Sequence, residues 1–226
     1  MPYSRPFAAS KTERKGDFTR PRERGSMGLM ATINELQPPY KVGYFVGSLS
    51  AQSVNRTLSR ALLKLAPSHL VFTEIPIGGL PLYNRDFDAD YPPEAREFKR
   101  LIAEQDALLF ITPEYNRSIP GALKNAIDWA SRPYGENVIA RKATAVIGGS
   151  PGQLGTAVAQ QNLRSVLSFL QAPQMNAPEA YIWMRPGLIE EDGTVTDPGT
   201  EEFLRGYMNA FFEYIERVLT VVPSAS

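Results

Sequence analysis

Cysteine is absent from all 226 residues, and histidine occurs once, as His69. The first absence rules out disulfides, thiolate nucleophiles and Cys-built metal sites, and it suits a reducing, cytoplasmic setting. The second leaves the chain almost without the side chain that most often moves protons near neutral pH. Net charge is missing too. Lys plus Arg and Asp plus Glu balance at 24 each, so no overall field draws in nucleic acid or an anionic membrane. No apolar run is long enough to cross a bilayer. The expectation is a protein with no nucleic-acid and no membrane partner, whose chemistry comes from something it binds.

What is present divides into a tail and one domain. Residues 1–30 carry seven Lys/Arg against three Asp/Glu, with Pro, Ser and Gly and no sustained apolar period. Such a segment cannot join a core, so residues 1–38 are expected to be a disordered basic N-terminal tail. They lack the apolar stretch of a secretory signal, and Met27 or Met30 is a natural alternative start. The domain is expected over 39–222, long enough for a single core.

Within the domain, short apolar runs alternate with helical patterns. Strands are expected at Lys41–Val46, Val71–Ile75, Ala107–Thr112 and Thr144–Gly148, with a fifth around Gln174–Asn176. Between them Val54, Leu58, Ala61, Leu62 and Leu65 recur at helical spacing, as do Ala95, Phe98 and Ile102. Further helices are marked by Leu123, Ala126 and Ile127, by Leu163, Val166 and Leu170, and by Phe203, Tyr207, Phe211 and Ile215. Strands interleaved with helices make an α/β fold: a flavodoxin-like, doubly wound, five-stranded parallel sheet of order 2-1-3-4-5, with helices on both faces.

Ligands of such sheets bind at the carboxyl ends of the strands, and three loops there are chemically unusual. After strand one comes Gly47-Ser48-Leu49-Ser50-Ala51-Gln52-Ser53-Val54-Asn55-Arg56, whose hydroxyls, amide and helix N-terminus can cradle a phosphate or simply cap a helix. It matches neither GxxxxGK[ST] nor GxGxxG, which argues against a nucleoside triphosphate or a dinucleotide held in the Rossmann manner. After strand three comes Thr112-Pro113-Glu114-Tyr115-Asn116-Arg117-Ser118-Ile119-Pro120-Gly121, a loop able to hold the edge of a flat heterocycle, or an ordinary turn. After strand four, Gly148-Gly149-Ser150-Pro151-Gly152-Gln153-Leu154-Gly155 could admit a ligand close to the backbone or serve turns.

Other features read as structure. His69 stands at a strand start, away from the three loops. Asp86, Asp88, Asp90 and Glu97 mimic calcium-loop spacing, but Tyr91 stands where the sharp turn requires Gly, so an acidic surface loop is expected.

Residues 42 to about 182 resemble the NADPH-dependent FMN reductase family, a flavodoxin-like group that includes bacterial quinone, chromate and azo-dye reductases. The likeness rests on GSLSAQSVN, on LPLYN at Leu80–Asn84, on TPEYN-x-S-x-PGALKNAIDW and on the GGSPGQLG loop. It implies FMN as cofactor and NADPH or NADH as hydride donor. Hydride would pass through flavin N5 to a small-molecule acceptor such as a quinone, chromate, an azo dye or free flavin. By the same resemblance Ser48, Ser53 and Asn55 would hold the FMN phosphate, with Ser50 and Val54 also in the cofactor site. Pro113, Glu114, Tyr115 and Asn116 would hold the isoalloxazine and ribityl part, and Ser150 would close the other side of the ring; no protein side chain is catalytic in its own right. The family also implies a homodimer or homotetramer. Tyr134, Tyr181, Trp183 and the aromatic last helix could cover a partner, or be core. Relatives often carry Arg after Gly-Ser-Leu, where this chain has Ser50; that removes a phosphate counter-charge and implies weaker FMN retention unless Arg56 or a tail arginine substitutes. The alternative to an enzyme is a non-catalytic, flavin-binding electron carrier.

Overall fold

The computed structural model describes residues 38–222, and these all fall within one compact unit, Leu36–Ser226. The basic tail proposed for residues 1–38 lies, but for its last residue, outside the described residues. Five strands, β1 (Tyr40–Val46), β2 (Leu70–Glu74), β3 (Ala107–Ile111), β4 (Ala143–Ser150) and β5 (Tyr181–Trp183), form one sheet of order β2-β1-β3-β4-β5. Every neighbouring pair is parallel. The helices are α1 (Val54–Leu65), α2 (Pro93–Ala103), α3 (Gly121–Ser131), α4 (Ala157–Phe169) and α5 (Pro198–Val221).

Side-chain alternation along the strands explains the layering. In β3 all five residues are buried, because Ala107, Leu109 and Ile111 face one core while Leu108 and Phe110 face the other. The first core is completed by α1 and α5, through Leu58, Leu62, Leu204, Tyr207 and Phe211. The second is completed by α2, α3 and α4, through Phe98, Ile102, Ile127, Trp129, Leu163 and Leu167. A sheet covered on both faces leaves only its ends open, and the carboxyl end collects the polar loops.

The fifth strand departs from the sequence-based expectation. Around Gln174–Asn176 the chain only touches the sheet: the Thr144 N–H donates to the Pro173 carbonyl and the Met175 N–H to the Thr144 carbonyl, both at 2.8 Å. Pro178, which has no N–H to give a ladder, follows two residues after Asn176, and pairing resumes at Tyr181–Trp183 beside Gly148–Ser150. The shift matters for function, since it places the edge strand against the loop that leaves β4.

Candidate functional site: three strand-end loops around one cleft

The loop after β1 satisfies itself locally. Ser53 caps α1, its Oγ accepting from the Arg56 N–H at 3.3 Å; Ser48 Oγ accepts from the Ser50 N–H and Ser50 Oγ from the Gln52 N–H, each at 3.3 Å. A hydroxyl that accepts a hydrogen bond still has its own proton to donate. The N–H groups of Val54 and Asn55 open the helix with no acceptor behind them in it. Ser48 and Ser53 are buried, at 6% and 7% exposure.

Asn55 behaves differently from its neighbours. Only 1% exposed, it donates Nδ2–H to the Gly149 carbonyl and accepts from the Gly149 N–H, both at 2.9 Å. Its amide therefore bolts α1 to the end of β4, ninety-four residues away, and is not aimed at a ligand. Arg56 is equally committed. Its guanidinium meets the Glu74 carboxylate two-pronged at 3.0 and 2.9 Å, and the Tyr44 hydroxyl donates to the same carboxylate at 3.1 Å. The hydrogen bonds from Arg56 hold the Glu74 carboxyl below its usual range, while burial and the adjacent carboxylate push the Tyr44 phenol up to about 12. Arg56 thus does not supply the counter-charge that Ser50 lacks; it ties the first turn of α1 to the end of β2.

In the loop after β3 the Tyr115 and Ser118 backbones pair with each other, Tyr115 N–H to the Ser118 carbonyl at 2.9 Å and Ser118 N–H back at 3.0 Å. The two residues between them, Asn116 and Arg117, both have positive φ, 53° and 64°, as in a type I′ hairpin turn. Asn tolerates this conformation, whereas Arg bears a cost of about 1 kcal/mol relative to Gly. Glu114, just before the hairpin, is 12% exposed at its side chain. Its Oε2 accepts from the Val158 and Ala159 N–H groups, both at 3.1 Å, and Arg117 Nη1 lies 3.3 Å from its Oε1. Thr156, at the cap position of α4, makes no side-chain cap, so Glu114 caps that helix from another loop. Its carboxylate is a clamp on α4 rather than a free ligand group.

The glycine-rich loop after β4 is shaped mostly by the protein itself. A Cβ on Gly148 would fall 2.1 Å from the Thr112 carbonyl oxygen, and one on Gly149 would fall 2.5 Å from Met184 Cγ. Gly155, at φ 59°, lies against the Tyr181 backbone, which a Cβ would approach to 2.8 Å. Of the motif's glycines only Gly152 would accept a Cβ without a clash, its nearest neighbour, Ser150 Oγ, lying 3.5 Å away. That hydroxyl accepts from the Gly152 N–H at 3.1 Å, and Trp183 of β5 donates its indole N–H to the Pro151 carbonyl at 3.0 Å.

These loops close around a cleft of about 200 Å³ lined by Ser48, Ser50, Ser53, Val54, Asn55, Pro113, Glu114, Tyr115 and Ser150. All the residues expected to form the site line it except Asn116, which faces an adjoining cavity. Gln52, Gly149 and Pro151 also line the cleft and went unassigned from sequence, although each stands inside a quoted motif. Among the described residues no cationic side chain lines it. The second half of the long motif works at one remove: Asn125 accepts from the Tyr83 N–H at 2.8 Å and donates to the Pro81 carbonyl at 3.0 Å. Trp129, fully buried, donates to that same carbonyl at 2.7 Å. So the motif after β3 holds the LPLYN segment after β2.

His69 is exposed at the amino end of β2, stacked on Phe212 at 5.6 Å between ring centroids. Asp88 accepts from the Tyr83 hydroxyl, Asp90 pairs with Arg96 and Glu97 with Arg100, and among the described residues no three His, Asp or Glu gather as a metal site. Tyr207 and Phe211 of the last helix are core, while Tyr134 is 93% exposed and Trp183 42%.

An open parallel sheet whose polar loops converge on one cleft, with a helix N-terminus and hydroxyl donors at one side and a hairpin at the other, defines a mononucleotide-binding protein of the flavodoxin-like class. Residues 40–184 match the NADPH-dependent FMN reductase family. The chain is 47% identical over 175 residues to a 2-hydroxy-1,4-benzoquinone reductase from Burkholderia sp, covering 77% of this chain and 96% of that one. It is 46% identical over 178 residues to a quinone reductase from Pseudomonas putida, covering 78% and 95%. Among solved structures it resembles FerB, a flavoenzyme NAD(P)H:(acceptor) oxidoreductase from Paracoccus denitrificans. That likeness has a TM-score of 0.76 and 47% identity, and covers 79% of this chain and 98% of that one. The chain belongs to the NADPH-dependent FMN reductase family, and its cofactors are those of the family, FMN and a nicotinamide nucleotide.

Proposed function

We propose that the protein is an FMN-dependent NAD(P)H oxidoreductase that reduces small acceptors of the quinone type. The observation that carries this reading is the convergence of the β1, β3 and β4 loops on a cleft lined by hydroxyls, amides and backbone groups, in which, among the described residues, no histidine, lysine or cysteine stands beside the serines and the one carboxylate, Glu114, is held by two N–H groups of α4. Such a lining binds and orients rather than reacts. When bound, FMN supplies the electron chemistry between nicotinamide and acceptor.

The residues present suit that cofactor. Ser48, Ser50 and Ser53, with the Val54 and Asn55 N–H groups, would meet the phosphate by neutral donors and the positive end of α1. Pro113 to Tyr115 would hold the ring and ribityl part, with Asn116 at the hairpin beyond them, and Ser150 would stand across from them. The two clamps, Asn55 on Gly149 and Glu114 on α4, keep these loops in register before anything binds, which lowers the ordering cost of binding.

The domain would span 39–222, in the cytoplasm, as a homodimer or homotetramer. No helix among the described residues is long and apolar enough to cross a membrane. A hollow of about 630 Å³ beyond the edge strand, lined by Trp183, Leu188 and Phe203 among others, offers a face for a second copy. Light scattering tests that part. The function itself is tested by flavin absorbance of the purified protein and by mixing it with NADPH and excess quinone. Nicotinamide oxidation far beyond one equivalent is expected and eliminates an electron carrier; failure to take up FMN would sink the proposal.

A further inference from the structure

A cavity of about 380 Å³ adjoins the cleft, sharing Glu114 and Ser150 with it and continuing along Asn116, Arg117, Gln153 and Leu154. Among the described residues Arg117 is the one cationic side chain lining either of the two. It sits at the tip of the hairpin with φ 64°, where glycine would be relaxed, and its backbone is pinned by Asn162 Nδ2 donating to its carbonyl at 3.0 Å. Its side chain, by contrast, is loosely held. It is 67% exposed, and its contact is a 3.3 Å approach to Glu114, whose carboxylate already accepts two N–H donors from α4. Leaving Glu114 would cost Arg117 little, because the guanidinium is mostly in solvent and makes a single long contact to a carboxylate that α4 already satisfies, whereas a guanidinium meeting a phosphate can bond two-pronged. A strained backbone supporting an underused cation beside a ligand cleft points to a ligand for that cation.

We propose that this cavity seats the phosphate groups of the nicotinamide donor and that Arg117 is the side chain that binds them. The proposal rests on the NAD(P)H oxidoreductase reading. Two anionic ligands must be accommodated together. The cofactor's phosphate has the hydroxyls and helix N-terminus of the β1 side, which leaves the hairpin side to the donor, whose nicotinamide must lie on a ring held by Pro113 to Tyr115. The Arg117 side chain swings from Glu114 to phosphate as the donor arrives, and Glu114 stays satisfied by α4 throughout.

The test compares FMN-loaded parent enzyme with Arg117→Gly and Arg117→Lys, using NADPH, NADH and an excess of a quinone. Glycine suits the hairpin position, so Arg117→Gly is expected to melt at the same temperature or higher. Its KM for the donor should rise about tenfold, the loss of one charge-assisted contact, with kcat largely kept. Arg117→Lys should recover part of the loss. Calorimetric binding of NADP⁺ and NAD⁺ should weaken in step, and added salt should weaken binding to the parent but not to Arg117→Gly. A rise confined to NADPH assigns the contact to the 2′-phosphate and an equal rise for both donors assigns it to the pyrophosphate; either supports the proposal. Unchanged donor KM and binding would overturn it, as would a parallel loss of FMN affinity, which would place Arg117 in the cofactor's own site. If the parent enzyme oxidises neither nicotinamide, the functional reading itself falls and takes this one with it.

Discussion

The loops after β1 and β3 face each other across one cleft but are held by opposite means. In the first, serine hydroxyls accept from N–H groups two or three residues ahead, so the turn is stable by its own chemistry. In the second, the hairpin closes itself through Tyr115 and Ser118, but its orientation depends on Glu114 reaching the start of α4, forty-four residues away. One loop is built locally and the other is docked. The comparison shows how a turn capped from within and a hairpin anchored at a distance can form two walls of one cleft.

Substitutions can break that comparison in order of size. Asn55→Ala should have the largest effect, because it leaves the buried Gly149 N–H and carbonyl without partners; a loss of about 2 to 4 kcal/mol in thermal or denaturant unfolding is expected. A change below about 0.5 kcal/mol would mean that the bolt between α1 and β4 is dispensable. Glu114→Ala comes next, at about 1 to 2 kcal/mol for a lost helix cap, with faster hydrogen exchange at the Val158 and Ala159 amides. Glu114→Gln keeps an oxygen acceptor and should retain most of the cap; if it behaves like Ala, the carboxylate charge and not the hydrogen bonding holds the loop. Ser53→Ala should cost about 1 kcal/mol and leave the β3 hairpin untouched, which two-dimensional amide spectra would show.

The smallest effect concerns acid. The Glu74 carboxyl is held below its ordinary value of 4.5 chiefly by Arg56, so the pair stabilises the fold fully above that pH, and the contribution is lost as pH falls through the lowered folded value. Both partners are 36% exposed, so the contribution is well under 1 kcal/mol. Unfolding curves of parent and Glu74→Gln should differ near neutrality and converge under strong acid; a difference that grew on acidification would contradict the assignment.

The same contrast explains what could be read in the amino-acid sequence. The sheet order, the helices and the polar strand-end loops follow from apolar periodicity and local turn chemistry, as do the serine caps. Glu114 reads as a loop carboxylate until α4 is seen beside it, and Asn55 as one more phosphate ligand until Gly149 is. Both roles depend on contacts between distant segments, which no local pattern encodes. The glycines after β4 suggested room for a ligand, yet Gly148, Gly149 and Gly155 make room for Thr112, Met184 and Tyr181. β5 was displaced because the Tyr181–Trp183 strand is three residues long, too short for a period, and pairs only with the last residues of β4.

The indole N–H of Trp183 reaches the Pro151 carbonyl, and the chain has one other tryptophan, Trp129, which is wholly enclosed. Native emission is therefore the sum of a blue-shifted core signal and a solvent-shifted signal from the wall of the glycine loop. A quencher such as iodide, admitted only to the second, would isolate it. Changes in the cleft could then be followed spectroscopically with no label added to the protein.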